Sequence, residues 1–129
     1  MAAITEDYVS FETAKLLKKK GFDQNCSTYY LDGQVWRHYH GEVIPKGKQI
    51  YAAPTQAIAM KWLREVHNIM VSPYALSLGY YFEIFDLTNR DITGCKPLYK
   101  VGIPYKVDVL SIYEEACEAA IKYCLENLI

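Results

Sequence analysis

Ser111-Ile112-Tyr113-Glu114-Glu115-Ala116-Cys117-Glu118-Ala119-Ala120-Ile121-Lys122-Tyr123-Cys124-Leu125-Glu126-Asn127-Leu128-Ile129 reads as an amphipathic helix. Ser111 is placed to accept a hydrogen bond from the Glu114 amide while the Glu114 carboxylate reaches back to the Ser111 amide, a capping box. Tyr113, Ala116, Cys117, Ala120, Ile121, Cys124, Leu125 and Leu128 recur at helical spacing and form one apolar stripe. Glu115, Glu118, Lys122 and Glu126 fall outside it and are expected in water, Glu118 and Lys122 pairing four residues apart. Such a stripe needs other elements to cover it. The helix therefore announces a folded module, yet it carries no chemistry of its own.

Two more helices are legible upstream. Ser10 is a good N-cap, and Phe11, Ala14, Leu16 and Leu17 form an inward face behind it. Gly21 supplies a left-handed stop, and Phe22 is placed to fold back on Leu17 as in a Schellman ending. Lys18, Lys19 and Lys20 sit in the last turn, where the helix dipole favours cations without any ligand. Pro54 suits the first turn of a second helix over 54–68, with Ala59, Trp62, Leu63, Val66 and Met70 inward and Lys61, Arg64, Glu65 and Asn68 in water.

Between them lie strands. Thr28-Tyr29-Tyr30-Leu31 and Gln34-Val35-Trp36-Arg37-His38-Tyr39-His40 flank Asp32-Gly33, a strong hairpin signal. A two-residue turn sets Leu31 opposite Gln34, Tyr30 opposite Val35 and Tyr29 opposite Trp36. One face carries Tyr29, Leu31, Trp36, His38 and His40; the other carries Tyr30, Val35, Arg37 and Tyr39. Neither is cleanly apolar, so the pattern does not say which is buried. A short strand fits Gln49-Ile50-Tyr51, and further strands fit 69–74 and 80–87, the second bulky on both faces like a central strand. Residues 88–96 are polar and turn-rich, and a last extended stretch falls within 98–110. The expected fold is a single α+β domain over 1–129 in the order α-β-β-α-β-β-β-α. Its antiparallel sheet has about five strands, with three helices packed on one face.

Composition narrows the function classes. The chain has 129 residues, is 51% hydrophobic and carries a net charge of -1, enough to bury a core and without overall pull toward nucleic acid or anionic membrane. No run approaches the ~20 apolar residues of a membrane span. Met1-Ala2-Ala3-Ile4-Thr5-Glu6-Asp7 lacks the basic start and apolar stretch of a signal peptide, so a cytoplasmic location is expected. Of the four cysteines, Cys117 and Cys124 stand about 10 Å apart along one helix, too far to bridge. Cys26 and Cys95 are isolated, and buried thiols are the expectation.

Each candidate for chemistry has a plainer explanation. His38 and His40 alternate on a strand and point the same way, but no third ligand accompanies them, so no metal is expected. No nucleophile elbow, P-loop or dinucleotide fingerprint occurs, and neither catalytic residues nor a cofactor are assigned. From residue 54 onward the order helix, three strands, helix is that of a double-stranded-RNA-binding domain. Tyr113-Glu114-Glu115 would repel phosphate where that module places lysines, which argues against nucleic acid. The twelve tyrosines are the compositional oddity, and Tyr29, Tyr30, Tyr39, Tyr74, Tyr80 and Tyr81 concentrate on strands. Tyrosine suits recognition surfaces. An exposed sheet face holding Tyr29, Trp36, His38 and His40 is therefore the candidate interaction face, for a homodimer or a protein partner.

Residues 8–18, Ala53-Pro54-Thr55-Gln56 with residues 59–68, and residues 113–129 together resemble a group of short proteins encoded in prophages and mobile elements of gut Bacteroidetes. The likeness covers the three helices, about half of the chain, and implies no activity, ligand or catalytic residue. The expected function is that of a small, non-enzymatic accessory or interaction protein. The competing class is an enzyme or small-molecule binder with a pocket between the 28–40 hairpin and the 54–68 helix. A concave pocket with convergent polar groups would mark the second class, and a flat aromatic patch the first.

Overall fold

Asp32 and Gly33 both take positive φ, 54° and 82°, as a type I′ turn demands. They join β1 (Tyr29–Leu31) to β2 (Gln34–Trp36) in the register expected from the two-residue turn. The structure is a computed structural model and describes residues 4–36, 47–77, 79–91, 94–100 and 112–129. Its remaining elements are α1 (Phe11–Lys19), β3 (Ile50–Ala52), α2 (Gln56–His67), β4 (Ile69–Leu76), β5 (Gly79–Asp91), β6 (Gly94–Lys100) and α3 (Tyr113–Asn127).

The fold is α+β with three helices, but its strands make two small antiparallel sheets, β2-β1-β3 and β4-β5-β6, instead of one five-stranded sheet. The reason lies in the edges. β1 and β5 are the central strands, so the sheets could join only through outer strands, and among the described residues no outer strand of one pairs with an outer strand of the other. Beyond β3 the chain is bordered by the N-terminal arm: Val9 N–H donates to Pro54 O (3.0 Å) and Gln56 N–H to Asp7 O (2.8 Å). The helices divide accordingly, α1 against β3, and α2 and α3 against β4. β3, the extra strand in the order, coincides with the short extended stretch at 49–51.

Local signals decide the helix ends. The Ser10 hydroxyl accepts from Thr13 N–H (3.2 Å). Phe22 N–H reaches Leu17 O (2.9 Å) and Gly21 N–H reaches Lys18 O (3.2 Å) across Gly21 at φ 93°, the two bonds of a Schellman ending. Pro54 lies outside α2, because Thr55 caps it by accepting from Ile58 N–H (3.2 Å). Asn68 in the left-handed conformation then leads directly into β4. Val66 does not join the buried stripe: Gln56, Ala59, Trp62 and Leu63 turn inward while Val66 is 56% exposed, and Met70 belongs to β4. α3 starts at Tyr113 with Ile112 as a cap lacking any side-chain bond; Ser111 lies outside the described residues.

The polar stretch after Leu87 continues as strand. Asp86 accepts from Thr88 N–H (2.9 Å) and from the Asn89 amide (2.5 Å), folding these residues into a register shift between Asp86 and Arg90. Turn-type residues mark a bulge here, not the end of β5. Of the extended stretch expected in 98–110, residues 98–100 belong to β6, and 101–110 lie outside the described residues.

Core packing centres on α3. Ala116, Cys117, Ala120, Ile121, Cys124 and Leu125 are fully buried. They meet a cluster that holds Leu17 of α1, Leu63 of α2, Val71 of β4 and Ile84 of β5. Glu118 is not in water beside Lys122. Its carboxylate accepts from Ser10 N–H (2.9 Å), the Thr13 hydroxyl (2.6 Å) and the Gln56 side-chain amide (3.3 Å). That amide also donates to Glu114 O (2.9 Å). Lys122 instead reaches Glu12 on α1 (2.9 Å). The Ser10 N–H at the start of α1 and two buried side chains, Thr13 of α1 and Gln56 of α2, thus converge on one anion.

Two stability outcomes follow from this architecture. Gly33→Val is expected to lower unfolding free energy by about 1 kcal/mol or more, because a β-branched residue is strained at that φ; a urea midpoint equal to wild type would contradict the turn. Glu118→Ala strands three donors, two of them on buried side chains, and is expected to lose about 2 kcal/mol, against less than about 0.5 for Glu115→Ala. Urea titrations with unchanged slope measure both.

Candidate functional site

A cleft of about 510 Å³ lies between residues 24–28, which lead into β1, and the outer side of α2. The capped, extended entry into α2 and the N-terminal arm set its walls. Ile58 (45% exposed) and Val66 flank the buried Trp62 along the helix, Tyr8 and Pro54 close one end, and Glu6, Lys61 and Glu65 stand on the rim. Cys26 is half-buried there, with its thiol pushed above the ordinary range by burial and donating toward Gln24 O (3.7 Å). A raised pKa keeps a thiol protonated, so Cys26 is a poor nucleophile.

A second hollow, about 550 Å³, gathers Lys15, Lys18, Lys19 and Lys122 around Tyr51. The helix directions account for it. Ser10 meets Glu118, Glu12 meets Lys122 and Lys20 Nζ donates to Ile129 O (2.6 Å), so α1 and α3 run side by side in the same sense. Their C-terminal ends, each carrying partial negative charge, therefore meet at one end of the molecule. Lys18 also donates to Ile50 O (3.2 Å) and lies over the Tyr51 ring (4.9 Å). Lys15 lies over the Phe11 ring (5.3 Å), Lys122 bonds Glu12, and Glu12 is held below the usual carboxylate range by that bond.

The third surface belongs to β4 and β5. Ile69, Val71, Phe82 and Ile84 are buried on the face that meets the helices. On the opposite face Tyr74, 40% exposed, stacks on Tyr81 with ring centroids 5.2 Å apart and planes 23° from parallel. Half-buried Met70 and Phe85 pair farther along the same face. Burial first, then Glu83 and Tyr74, raise the Tyr81 hydroxyl above its ordinary pKa. Pro73 sits on the outer strand β4 at a position whose nitrogen faces away from β5, so its missing N–H leaves the ladder whole.

The residues named from sequence separate as follows. Tyr29 and Trp36 are opposite one another on the first sheet. Tyr30 and Tyr51 turn their rings edge-on to Phe11 at 5.5 and 5.7 Å, so the Tyr30 face is the one laid on α1 and the Tyr29 face points away from it. Tyr29 is half-buried, and its hydroxyl accepts from Cys26 N–H (3.4 Å). His38 and His40 lie outside the described residues. Among the described residues no group of three His, Cys, Asp or Glu is arranged to hold a metal, and no helix is long and apolar enough to cross a membrane.

Cys117 and Cys124 are unbridged and fully buried, and burial pushes the Cys124 thiol up to about 12. Two centres escaped the sequence reading. Gln56 gave a signal, a polar residue one turn before Ala59 on the inward face; the Tyr74–Tyr81 stack needed the strand register. Compared with protein-family models, curated proteins and solved structures, the chain matches none.

One titrating group carries a measurable consequence. His67 ends α2 with its ring edge-on to Trp62 at 4.6 Å and a buried Nε2 that has no hydrogen-bond partner among the described residues. Burial lowers its pKa below the ordinary histidine value. The unfolded chain then binds the proton more readily, so stability is greatest above the unfolded pKa of about 6.5 and declines as pH falls from there toward the lower folded pKa. His67→Gln is expected to flatten unfolding free energy between about pH 7 and 5.5 relative to wild type; parallel curves for the two proteins would exclude the effect.

Proposed function

We propose that this chain is a small, non-enzymatic interaction module of phage or mobile-element origin, which meets a second copy or a protein partner through an open sheet face. The observation that carries the reading is exposed Tyr74 stacked on Tyr81, itself buried, on the face of β4 and β5 turned away from the helices. Tyrosines present large area with few torsions to freeze, and a flat aromatic surface beside Met70 and Phe85 gains free energy when it is covered. The half-exposed state of Tyr74 leaves area for a partner, whereas Cys26, Cys117 and Cys124 are all shifted toward the protonated thiol. Within this reading the competing surface is the Tyr29 and Trp36 face of the first sheet, which the sequence alone extends to His38 and His40.

Light scattering across a wide concentration range separates the two faces. The expected result is mass rising with concentration for wild type and for Tyr29→Glu, and a monomer for Tyr74→Glu with an unchanged melting temperature. The opposite pattern moves the interface to the hairpin. A strict monomer at the highest concentration overturns the self-association form of the reading.

A further inference from the structure

We infer that the cleft along α2 is a second docking groove, for a short extended peptide segment in which aliphatic side chains alternate with lysine or arginine. It stands on different residues from the Tyr74–Tyr81 face and goes beyond that reading. Three observations carry it. The first is apolar surface that the core does not use: Ile58 and Val66 are 45% and 56% exposed on the side of α2 that walls the cleft, with Trp62 between them. The second is length. Ile58 and Val66 stand eight residues apart, about 12 Å along the helix. Five residues of extended chain, at ~3.3 Å each, place the side chains at their two ends on one face about 13 Å apart.

The trough also continues beyond α2. A neighbouring hollow of about 560 Å³, lined in part by Tyr30 and Val35 of the hairpin, shares Glu6, Tyr8 and Thr28 with the cleft. A segment longer than five residues therefore has somewhere to run.

The third observation is charge. Exposed Glu6, Asp7 and Glu65 border the combined trough, against Lys61 alone among the described residues. In a protein of net charge -1 this is a local concentration of negative charge beside apolar surface. An apolar segment bearing cations is favoured there over one bearing carboxylates, by steering and by rim contacts that weaken with salt.

The probe is the capped pentapeptide acetyl-Leu-Lys-Leu-Lys-Leu-amide, titrated into the full chain and followed by NMR at the methyl groups of Ile58 and Val66 and the indole N–H of Trp62. Saturable shifts at these three residues are expected. The Leu-Glu-Leu-Glu-Leu analogue is expected to bind about tenfold more weakly at low salt. Glu6→Lys with Glu65→Lys, both at exposed positions, should reverse that preference, and Ile58→Asp should abolish the shifts while leaving the spectrum folded. Equal binding of the two peptides, absence of shifts at millimolar peptide, or shifts centred on Tyr74 would each overturn the assignment. The last outcome would leave the sheet-face reading standing, since its test uses light scattering and different variants.

Discussion

Glu118 ties the three helices to one another. Its carboxylate takes the Ser10 amide and the Thr13 hydroxyl from α1 and the Gln56 amide from α2, while Gln56 also holds the backbone of α3 at Glu114. The groups joined are 58 to 108 residues apart in sequence, so the contact is made only when the whole chain is in place. Buried Thr13 and Gln56 each need a partner, and the Ser10 N–H at the start of α1 needs an acceptor. One anion meets all of these demands. It also sets α1 and α3 running in the same direction, which brings their C-terminal ends together and explains why lysines 15, 18, 19 and 122 gather at the other end of the pair.

That arrangement bears on function by removing two suspects. A carboxylate with three donors on it is already occupied, and Lys122 and Lys18 are already in use on Glu12 and on Ile50 O. Exposed apolar surface among the described residues lies elsewhere: Tyr74 on β4, and Ile58 and Val66 on the cleft side of α2. Both are apolar surfaces with polar borders, the kind of surface on which partners dock.

Much of the local structure was readable from residues alone. Asp32-Gly33, the Ser10 cap, the Gly21 stop with Phe22 behind it and the apolar stripe of α3 from Ala116 to Leu125, though not exposed Tyr113, are short-range effects, decided by allowed φ/ψ, hydrogen bonds within a few residues and helical period. The residues that misled did so where long-range partners outbid local ones. Glu118 looks like a solvated helix position with Lys122 as its neighbour, yet two other helix ends attract it more strongly. Val66 has the right spacing for the core of α2 but lies on the far side of Trp62. Thr88 and Asn89 look like a turn and form a bulge, because Asp86 satisfies them inside the strand.

The sequence by itself determined the class of the fold, the three helices, the hairpin and its register, because each follows from steric and hydrogen-bonding rules that act over a few residues. Only the tertiary structure decided that the strands form two sheets, that the Tyr30 face lies on α1, and that Tyr74 comes to rest on Tyr81. Those outcomes depend on which edges are already occupied and which buried donors still need an acceptor, and both are settled only once distant segments of the chain have met.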